Sequence, residues 1–213
     1  MLPKTPVMLD GTSVSLRPLE IQHAATLFEI GQGMNIWRWY PDRIESVADM
    51  ERVVESALAA KEQGLALPFV IVERDTAQII GSSRFFNIFP EHRRLEIGWT
   101  WIGPQWQRTS VNTETKYLML RYAFEVMGCL RVELKTDRRN LKSQEAMLRL
   151  GLKQEGTLRK HMITHDGHHR DTVYFSVVEP EWPAMREFLN SKLSSRMPEK
   201  FWHPSVLQGT AIL

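Results

Sequence analysis

Residues 95–127 read LEIGWTWIGPQWQRTSVNTETKYLMLRYAFEVM, and the pattern of this stretch decides the predicted fold. Its first part has the two-residue alternation of a strand. One predicted face carries Leu95, Ile97, Trp99 and Trp101, and the other carries Glu96, Gly98 and Thr100. A glycine inside a strand is typical of a β-bulge or of a close backbone approach, so Gly98 marks an irregular point.

A polar loop, residues 105–111, follows this strand and leads into an amphipathic helix. The apolar residues that recur at helical spacing are Tyr117, Leu120, Ala123, Phe124 and Met127. We expect Asn112 to be the N-cap and Gly128 to end the helix. Because unpaired N–H groups at a helix N-terminus attract anions, the sequence predicts a site for a phosphate-bearing ligand here.

Composition indicates an ordinary soluble globular protein of one domain, or two. The chain has 213 residues, of which 43% are hydrophobic and 24% charged, and its net charge is +2. The basic residues are not interleaved with aromatic residues, so we expect no nucleic-acid partner. No signal peptide or membrane-length apolar stretch is present, so we expect a cytoplasmic protein without a membrane partner. Its one cysteine, Cys129, predicts a buried thiol rather than a disulfide or zinc site.

Alternating and helical periods continue along the rest of the chain. Helices are expected at residues 20–30, 46–63 with Ser46 as the cap, 141–150 and 181–193. Strands are expected near residues 14–18, 67–72, 79–88, 94–102, 130–134, 154–164 and 169–178. We predict one domain over residues 1–180, followed at 181–213 by a C-terminal helix and an irregular tail that Phe201, Trp202 and Leu207 lay over the surface.

Seven segments in order carry a resemblance to a known family. They are LRPL at 16–19, IGSSRFF at 80–86, LEIGWTW at 95–101, WQRTSVNTE at 106–114, AFEVMGCLRVELKTDRRNLKS at 123–143, RLGLKQEGTLR at 149–159 and DGHHRDTVYFSVVEPEW at 166–182. Over residues 14–178 this order resembles the GCN5-related N-acetyltransferases (GNAT), in the ribosomal-protein branch named after RimJ and RimL. The resemblance implies an α/β (α+β) fold. Its central sheet of six to seven strands is mixed, mostly antiparallel and twisted, is splayed at the middle strands, and is flanked by helices.

The resemblance also implies an activity. A member of this family transfers the acetyl group of acetyl-CoA to a primary amine, of a small molecule or a protein N-terminus, by direct attack in a ternary complex. It needs no metal and acts as a monomer or a homodimer. The residues expected to contact CoA are Trp99, Thr100 and Trp101 on the strand, Gln107, Arg108, Thr109, Ser110, Val111, Asn112 and Thr113 in the loop and helix start, and Asn140 and Ser143 further on.

The loop departs from the family pattern, which is Gln/Arg-x-x-Gly-x-Gly/Ala. Gln107 matches its first position, but Ser110 and Asn112 stand at the two small positions. Their side chains limit how closely a phosphate can lie on the backbone, yet both offer hydrogen-bond donors, and Arg108 adds positive charge. This departure leaves open an alternative function, a CoA-binding or non-catalytic module with the same fold.

Glu96 is the candidate base, because it resembles a glutamate at this strand in the branch. Its alternative role is a surface or salt-bridging carboxylate. Backbone N–H groups beside Gly98 are expected to polarise the thioester carbonyl. The family's tyrosine acid corresponds to Met147, so Ser143 and Tyr174 are the remaining candidates for protonating the thiolate.

Two residue clusters allow either a structural or a functional interpretation. His161, His165, His168 and His169 lie on or beside one predicted hairpin, where strand alternation favours a structural role over a metal site. Trp37, Trp39 and Tyr40 form an aromatic run that packs the core or, with that hairpin, walls the acceptor pocket.

Overall fold

A computed structural model describes residues 6–32, 36–40 and 42–194. Its eight-stranded sheet has the order β1-β2-β3-β4-β5-β6-β8-β7. The strands are β1 (Leu9–Asp10), β2 (Val14–Pro18), β3 (Leu67–Glu73), β4 (Ile79–Phe89), β5 (Arg94–Ile102), β6 (Arg131–Asp137), β7 (Lys153–Ile163) and β8 (His169–Val178). All neighbouring strands are antiparallel except β5 and β6, which are parallel. The predicted mixed, mostly antiparallel sheet is therefore confirmed, with the short strand β1 in addition.

Five α-helices flank the sheet in the described ranges. They are α1 (Ala24–Gly31), α2 (Val47–Glu62), α3 (Val111–Arg121), α4 (Leu141–Leu150) and α5 (Trp182–Ser194). Ser46 caps α2, as predicted, by accepting a hydrogen bond of 3.1 Å from the Asp49 N–H. Gly151 follows α4 with φ of 95°, a left-handed conformation that suits glycine.

Two apolar clusters lie on opposite faces of the sheet. The larger cluster includes residues from α3, α4 and α5, for example Met119, Leu150 and Leu189. The smaller cluster packs α1 and α2 against the other face, where it includes Val70 of β3 and Trp101 of β5. Because α1 and α2 lie against β3 and β4, they leave the β6 and β8 end of this second face open to polar side chains.

A β-bulge in β5 changes which face its side chains occupy. Ser82 pairs with Trp101 and Arg84 pairs with Gly98, so one residue of β4 lies opposite two of β5 between these pairs. Trp99, in the bulge, has φ of 52°. The predicted simple alternation, which placed Trp99 and Trp101 on one face with Leu95 and Ile97, is wrong because the bulge shifts the alternation by one residue.

The sheet is splayed between β5 and β6, as predicted. Their parallel pairing covers only Arg94–Glu96 on β5 and Arg131–Glu133 on β6. Beyond Glu96, β5 has no strand neighbour on that side among the described residues. The splay therefore leaves a gap in the sheet beside residues 97–102.

The start of α3 differs from the prediction. The helix begins at Val111, Ser110 occupies the N-cap position without a side-chain cap, and Asn112 lies in the first turn. Asn112 is therefore not the N-cap. At its other end α3 continues as one π-helical turn, Tyr122–Val126.

The carboxylate of Glu114 in α3 holds the β1–β2 connection in place. It is buried and accepts hydrogen bonds from the Thr12 and Ser13 N–H groups. Gly11 belongs to this contact, since a Cβ there would lie 2.4 Å from Glu114 Oε1. The hairpin is thus fixed to α3 by hydrogen bonds from its backbone N–H groups to the Glu114 side chain.

Some predictions lie at or beyond the described residues. The tail contacts predicted for Phe201, Trp202 and Leu207 fall outside them. The domain division at residue 180 stays a prediction. In the part of the chain that the structure describes, no helix has both the length and the apolar character needed to cross a membrane.

Candidate active site

Glu96 is a buried carboxylate on the second face of the sheet, where β5 begins to leave β6. Only 2% of its surface is exposed. Its Oε2 accepts hydrogen bonds from Asn87 Nδ2 at 3.0 Å and from Lys135 Nζ at 2.9 Å. Burial raises the pKa of Glu96, and the Lys135 ammonium partly opposes this effect. Glu96 therefore forms a salt bridge, which was its predicted alternative role, and it is also desolvated.

Asn87 reaches Glu96 because of a second bulge, in β4. Phe86 pairs with Glu96 and Phe89 pairs with Arg94, so two residues of β4 lie opposite the single Leu95. Asn87 is one of these two and has φ of 48°. Bulges of this kind re-aim a side chain, and this one directs the Asn87 amide to the carboxylate.

Lys135 and Tyr174 share the face of the sheet that carries Glu96. They pair in the β6–β8 register, and Lys135 Nζ lies 5.7 Å from the Tyr174 ring centroid. The His161 ring lies 5.8 Å from the Tyr174 ring, and His161 Nδ1 is 3.1 Å from Thr172 Oγ1. The structure thus brings Tyr174 to the same face as Glu96, with Lys135 between them.

Ser143 and Asn140 lie at the start of α4. Asn140 is the N-cap, and its Oδ1 accepts from the Ser143 N–H at 3.2 Å. Met147, which is predicted from the sequence to take the position of the family's tyrosine, is 4% exposed and packs in the larger apolar cluster. A residue at that position of α4 faces the core here and supplies no acid.

The loop before α3 offers unpaired donors. The Val111 N–H donates to Thr109 Oγ1 at 3.3 Å, whereas those of Asn112 and Thr113 donate to no described residue. Arg108, with φ of 63°, and Thr109 are exposed beside them. The helix start is therefore open to an anion.

Gln107 ties this loop to the rest of the site. Its Nε2 donates to the Ile102 carbonyl at 2.9 Å, and its Oε1 accepts from Lys142 Nζ at 2.5 Å. The side chain therefore joins the end of β5 to the start of α4, and its role in the fold is to position the loop.

Lys116 of α3 lies under the bulge in β5. It is 4% exposed and donates to Thr100 Oγ1, which in turn lies 2.7 Å from Ser83 Oγ. Burial lowers the pKa of Lys116 to about 7. The hydrogen bonds among Lys116, Thr100 and Ser83 thus connect α3 directly to β5, the strand that borders the gap.

A sequence model of the family described as an acetyltransferase (GNAT) domain matches residues 13–153. The chain belongs to the GNAT acetyltransferase family. It is 27% identical to the uncharacterized N-acetyltransferase YoaA of Bacillus subtilis (strain 168) over 174 residues, which are 81% of this chain and 97% of that protein. It is also 27% identical to the ribosomal protein uS5-alanine N-acetyltransferase of Escherichia coli (strain K12) over 126 residues, 59% of this chain and 64% of that one.

Solved structures agree with this family. The crystal structure of a GCN5-related N-acetyltransferase from Brucella melitensis has a TM-score of 0.81 and 29% identity, covering 92% of this chain and 88% of that chain. The predicted family, the fold and the class of acyltransferase are therefore confirmed. GNAT acetyltransferases use acetyl-CoA as the acetyl donor.

Two histidines of the β7–β8 hairpin contact different partners. His161 contacts Thr172 and Tyr174, while His168 Nε2 lies 3.6 Å from Asp137 Oδ2. No group of three or more histidine, cysteine, aspartate or glutamate residues is placed to hold a metal ion within the described ranges.

The aromatic run of this GNAT chain packs in the smaller cluster and also touches the hairpin. Trp37 lies edge-on to Tyr40 and Trp101, with ring centroids 5.4 and 5.3 Å away. Arg170 of β8 donates to the Trp39 carbonyl at 3.3 Å. The run therefore both fills the core and connects α1 with the β7–β8 hairpin.

Three residues at this GNAT site, Asn87, Lys116 and Lys135, did not emerge from the sequence. The sequence shows that Lys135 belongs to the polar face of residues 131–135, but it does not show that this strand lies beside β5. Asn87 depends on a bulge with no glycine to mark it. Lys116 lies among apolar residues of α3, and a lysine inside an apolar helical face was the available signal.

Proposed function

We propose that Glu96 is the base that takes a proton from a primary amine as the amine attacks acetyl-CoA directly in a ternary complex. The observation that carries this proposal is the position of Glu96, a buried carboxylate at the point where β5 separates from β6. A carboxylate whose pKa is raised by burial is suited to proton transfer near neutral pH.

In the proposed step the amine nitrogen bonds to the thioester carbonyl carbon and the carbon–sulfur bond breaks. The products are an N-acetyl amide and the CoA thiol. The amine proton passes to Glu96, and the leaving thiolate gains a proton from Tyr174 or Ser143. Tyr174 is the first candidate because it shares a face with Glu96, and the N–H groups beside Gly98 polarise the carbonyl.

The residues at the gap fit a CoA molecule. Acetyl-CoA, when bound, supplies the activated acetyl group. The unpaired N–H groups of Asn112 and Thr113, with the exposed Arg108, suit its pyrophosphate. The pantetheine would extend along β5, as an added strand beside residues 99–101, where β6 has moved away. Asn140 and Ser143 would lie toward its thiol end.

The glutamine variant Glu96→Gln tests the base. It keeps the shape and the hydrogen bond to Lys135 but cannot take a proton. We expect kcat at pH 7 to fall about 10²-fold or more, with the KM for acetyl-CoA unchanged. The measurement is thiol release from acetyl-CoA over a panel of primary amines.

Glu155→Gln is the matched control, since this exposed carboxylate of β7 pairs with Arg131 away from Glu96. It should keep wild-type rates. Wild-type kcat in Glu96→Gln would rule out the assigned role.

The second candidate function is a CoA-binding module without catalysis. The buried Met147 favours it, because the family's usual acid is missing at that position. Saturable CoA binding without turnover on any amine would support this alternative over the enzyme.

A further inference from the structure

A cavity on the second face of the sheet has Asn87, a hydrogen-bond partner of Glu96, in its wall. It has a volume of about 370 Å³ and is lined by Ser56 and Ala60 of α2 and by Arg84, Phe86 and Asn87 of β4, among others. Asn87 connects the cavity to the proposed base, because its amide donates to Glu96. A volume of this size lies within the range of small-molecule pockets.

The wall of this cavity includes a cation without an ionic partner. Arg84 is half-buried, and no carboxylate of the described residues lies within 4.0 Å of its guanidinium. That guanidinium lies 4.2 Å from the centroid of the Trp99 ring. Burial lowers the pKa of Arg84 to about 10, while electrostatic interactions with Tyr40 and Asp42 oppose this effect, so the side chain remains charged at neutral pH.

Arg84 lies a short distance along the sheet from the proposed base. Arg84 pairs with Gly98, and Phe86 pairs with Glu96. Two strand residues span roughly 7 Å. A desolvated guanidinium at this spacing suits a ligand anion, which it can bind through two parallel hydrogen bonds.

Resting on the proposed acetyl transfer, we propose that the acceptor is a small amine that also carries a carboxylate, which Arg84 binds while the amine lies at Glu96. The ligand carboxylate supplies a counterion in direct contact with Arg84, which no carboxylate of the described residues does. The Arg84 guanidinium lies over the Trp99 ring, which keeps it in place, and the apolar part of the cavity wall contacts the carbon chain between the two ligand groups.

Matched acceptor pairs test this assignment. Each α- or ω-amino acid of three to six carbons is compared with the amine of the same skeleton that lacks the carboxylate. In the wild type we expect kcat/KM to be at least tenfold higher for the amino acids. In Arg84→Met this preference should disappear through a higher KM for the amino acid, with the KM for acetyl-CoA within twofold of wild type.

Arg52→Met is the control for loss of one positive charge, because Arg52 is exposed on α2 and pairs with Asp49. It should keep the wild-type preference. Arg84→Gln replaces Arg84→Met if the methionine variant does not fold, with the same expected outcomes. Equal kcat/KM for both members of each pair in the wild type, or an equal loss for both in the Arg84 variant, would overturn the proposal.

A binding measurement separates this proposal from the acetyl transfer itself. If no amine is acetylated, the proposed function fails, and calorimetry with unbranched carboxylates such as pentanoate then decides the role of Arg84. Saturable binding to the wild type that is at least tenfold weaker in Arg84→Met would support the site. Absent binding, or equal affinity in the two proteins, would overturn it.

Discussion

Lys116 shows how one buried side chain makes stability depend on pH. Its folded pKa of about 7 lies below the value near 10.4 expected in an unfolded chain. Between these values the unfolded state binds more protons, so the contribution of Lys116 to stability rises with pH. Below pH 7 both states are protonated, and the folded state then carries the full cost of a buried ammonium.

We expect Lys116→Met to be more stable than the wild type at pH 7, by roughly 2–4 kcal/mol, because this cost is removed. The advantage should shrink as pH rises toward 10. Urea denaturation of both proteins from pH 7 to pH 9.5 measures the difference. Lys61→Met, in the last turn of α2 on the surface, is the control and should show no such trend. A constant difference between wild type and Lys116→Met across this range would contradict the assignment.

Lys135 and burial have opposite effects on the pKa of Glu96. Its ammonium lowers the pKa of Glu96 by charge and by a hydrogen bond. Lys135→Met should therefore raise that pKa and move the acidic limb of the kcat/KM profile to higher pH. The check is the pH dependence of kcat/KM between pH 5 and pH 9.

Lys153→Met serves as the comparison, because Lys153 lies on the edge strand β7 and pairs with Glu181 rather than with Glu96. It should leave the limb in place. An acidic limb that stays at its wild-type pH in Lys135→Met would show that Glu96 does not set the profile.

At the scale of elements, α5 is part of the main core. Leu189 is fully buried, and Trp182 packs on Phe124 with ring centroids 5.4 Å apart. The Trp182 indole and Arg186 both donate to Glu125 in the π-helical turn, at 3.0 and 3.2 Å. The helix therefore contributes to the stability of the sheet that it covers.

We expect Leu189→Ala to lower the free energy of unfolding by about 2–5 kcal/mol, since it leaves a cavity in a packed core. Glu187→Ala on the exposed side of α5 should change it by less than about 0.5 kcal/mol. Chemical denaturation of the two variants measures both. Similar stabilities of Leu189→Ala and wild type would mean that α5 does not share the core.

For the whole molecule, the sequence predicts most elements because each has a clear period or punctuation. The bounds of β5 and α4 agree with the structure, since Gly103 and Pro104 end the former and Gly151 ends the latter. The prediction of which face each β5 side chain occupies was wrong after Gly98, because one inserted residue reverses the alternation there. The predicted start of α3 was wrong because Ser110 occupies the N-cap position in a helical conformation and makes no side-chain cap, so no capping pattern in the sequence marked it.

The candidate site is less predictable than the elements that build it. Glu96 was identified from its strand and its resemblance to the family. Its partners Asn87 and Lys135 depend on the β4–β5 register and on β6 lying parallel to β5, which are long-range facts. A binding role for Arg84 likewise cannot be predicted from the sequence, because it depends on the position of β4 beside the cavity.

The bulges at Asn87 and Trp99 make the site depend on how many residues each strand contains. Deleting one residue from the bulged part of β4 would restore regular pairing and turn the following side chains to the opposite face. Glu96 would then lose its hydrogen bond from the Asn87 amide, although neither residue had been replaced. Within this fold, single-residue insertions and deletions in β4 and β5 are thus a direct route by which related chains could acquire different acceptor sites.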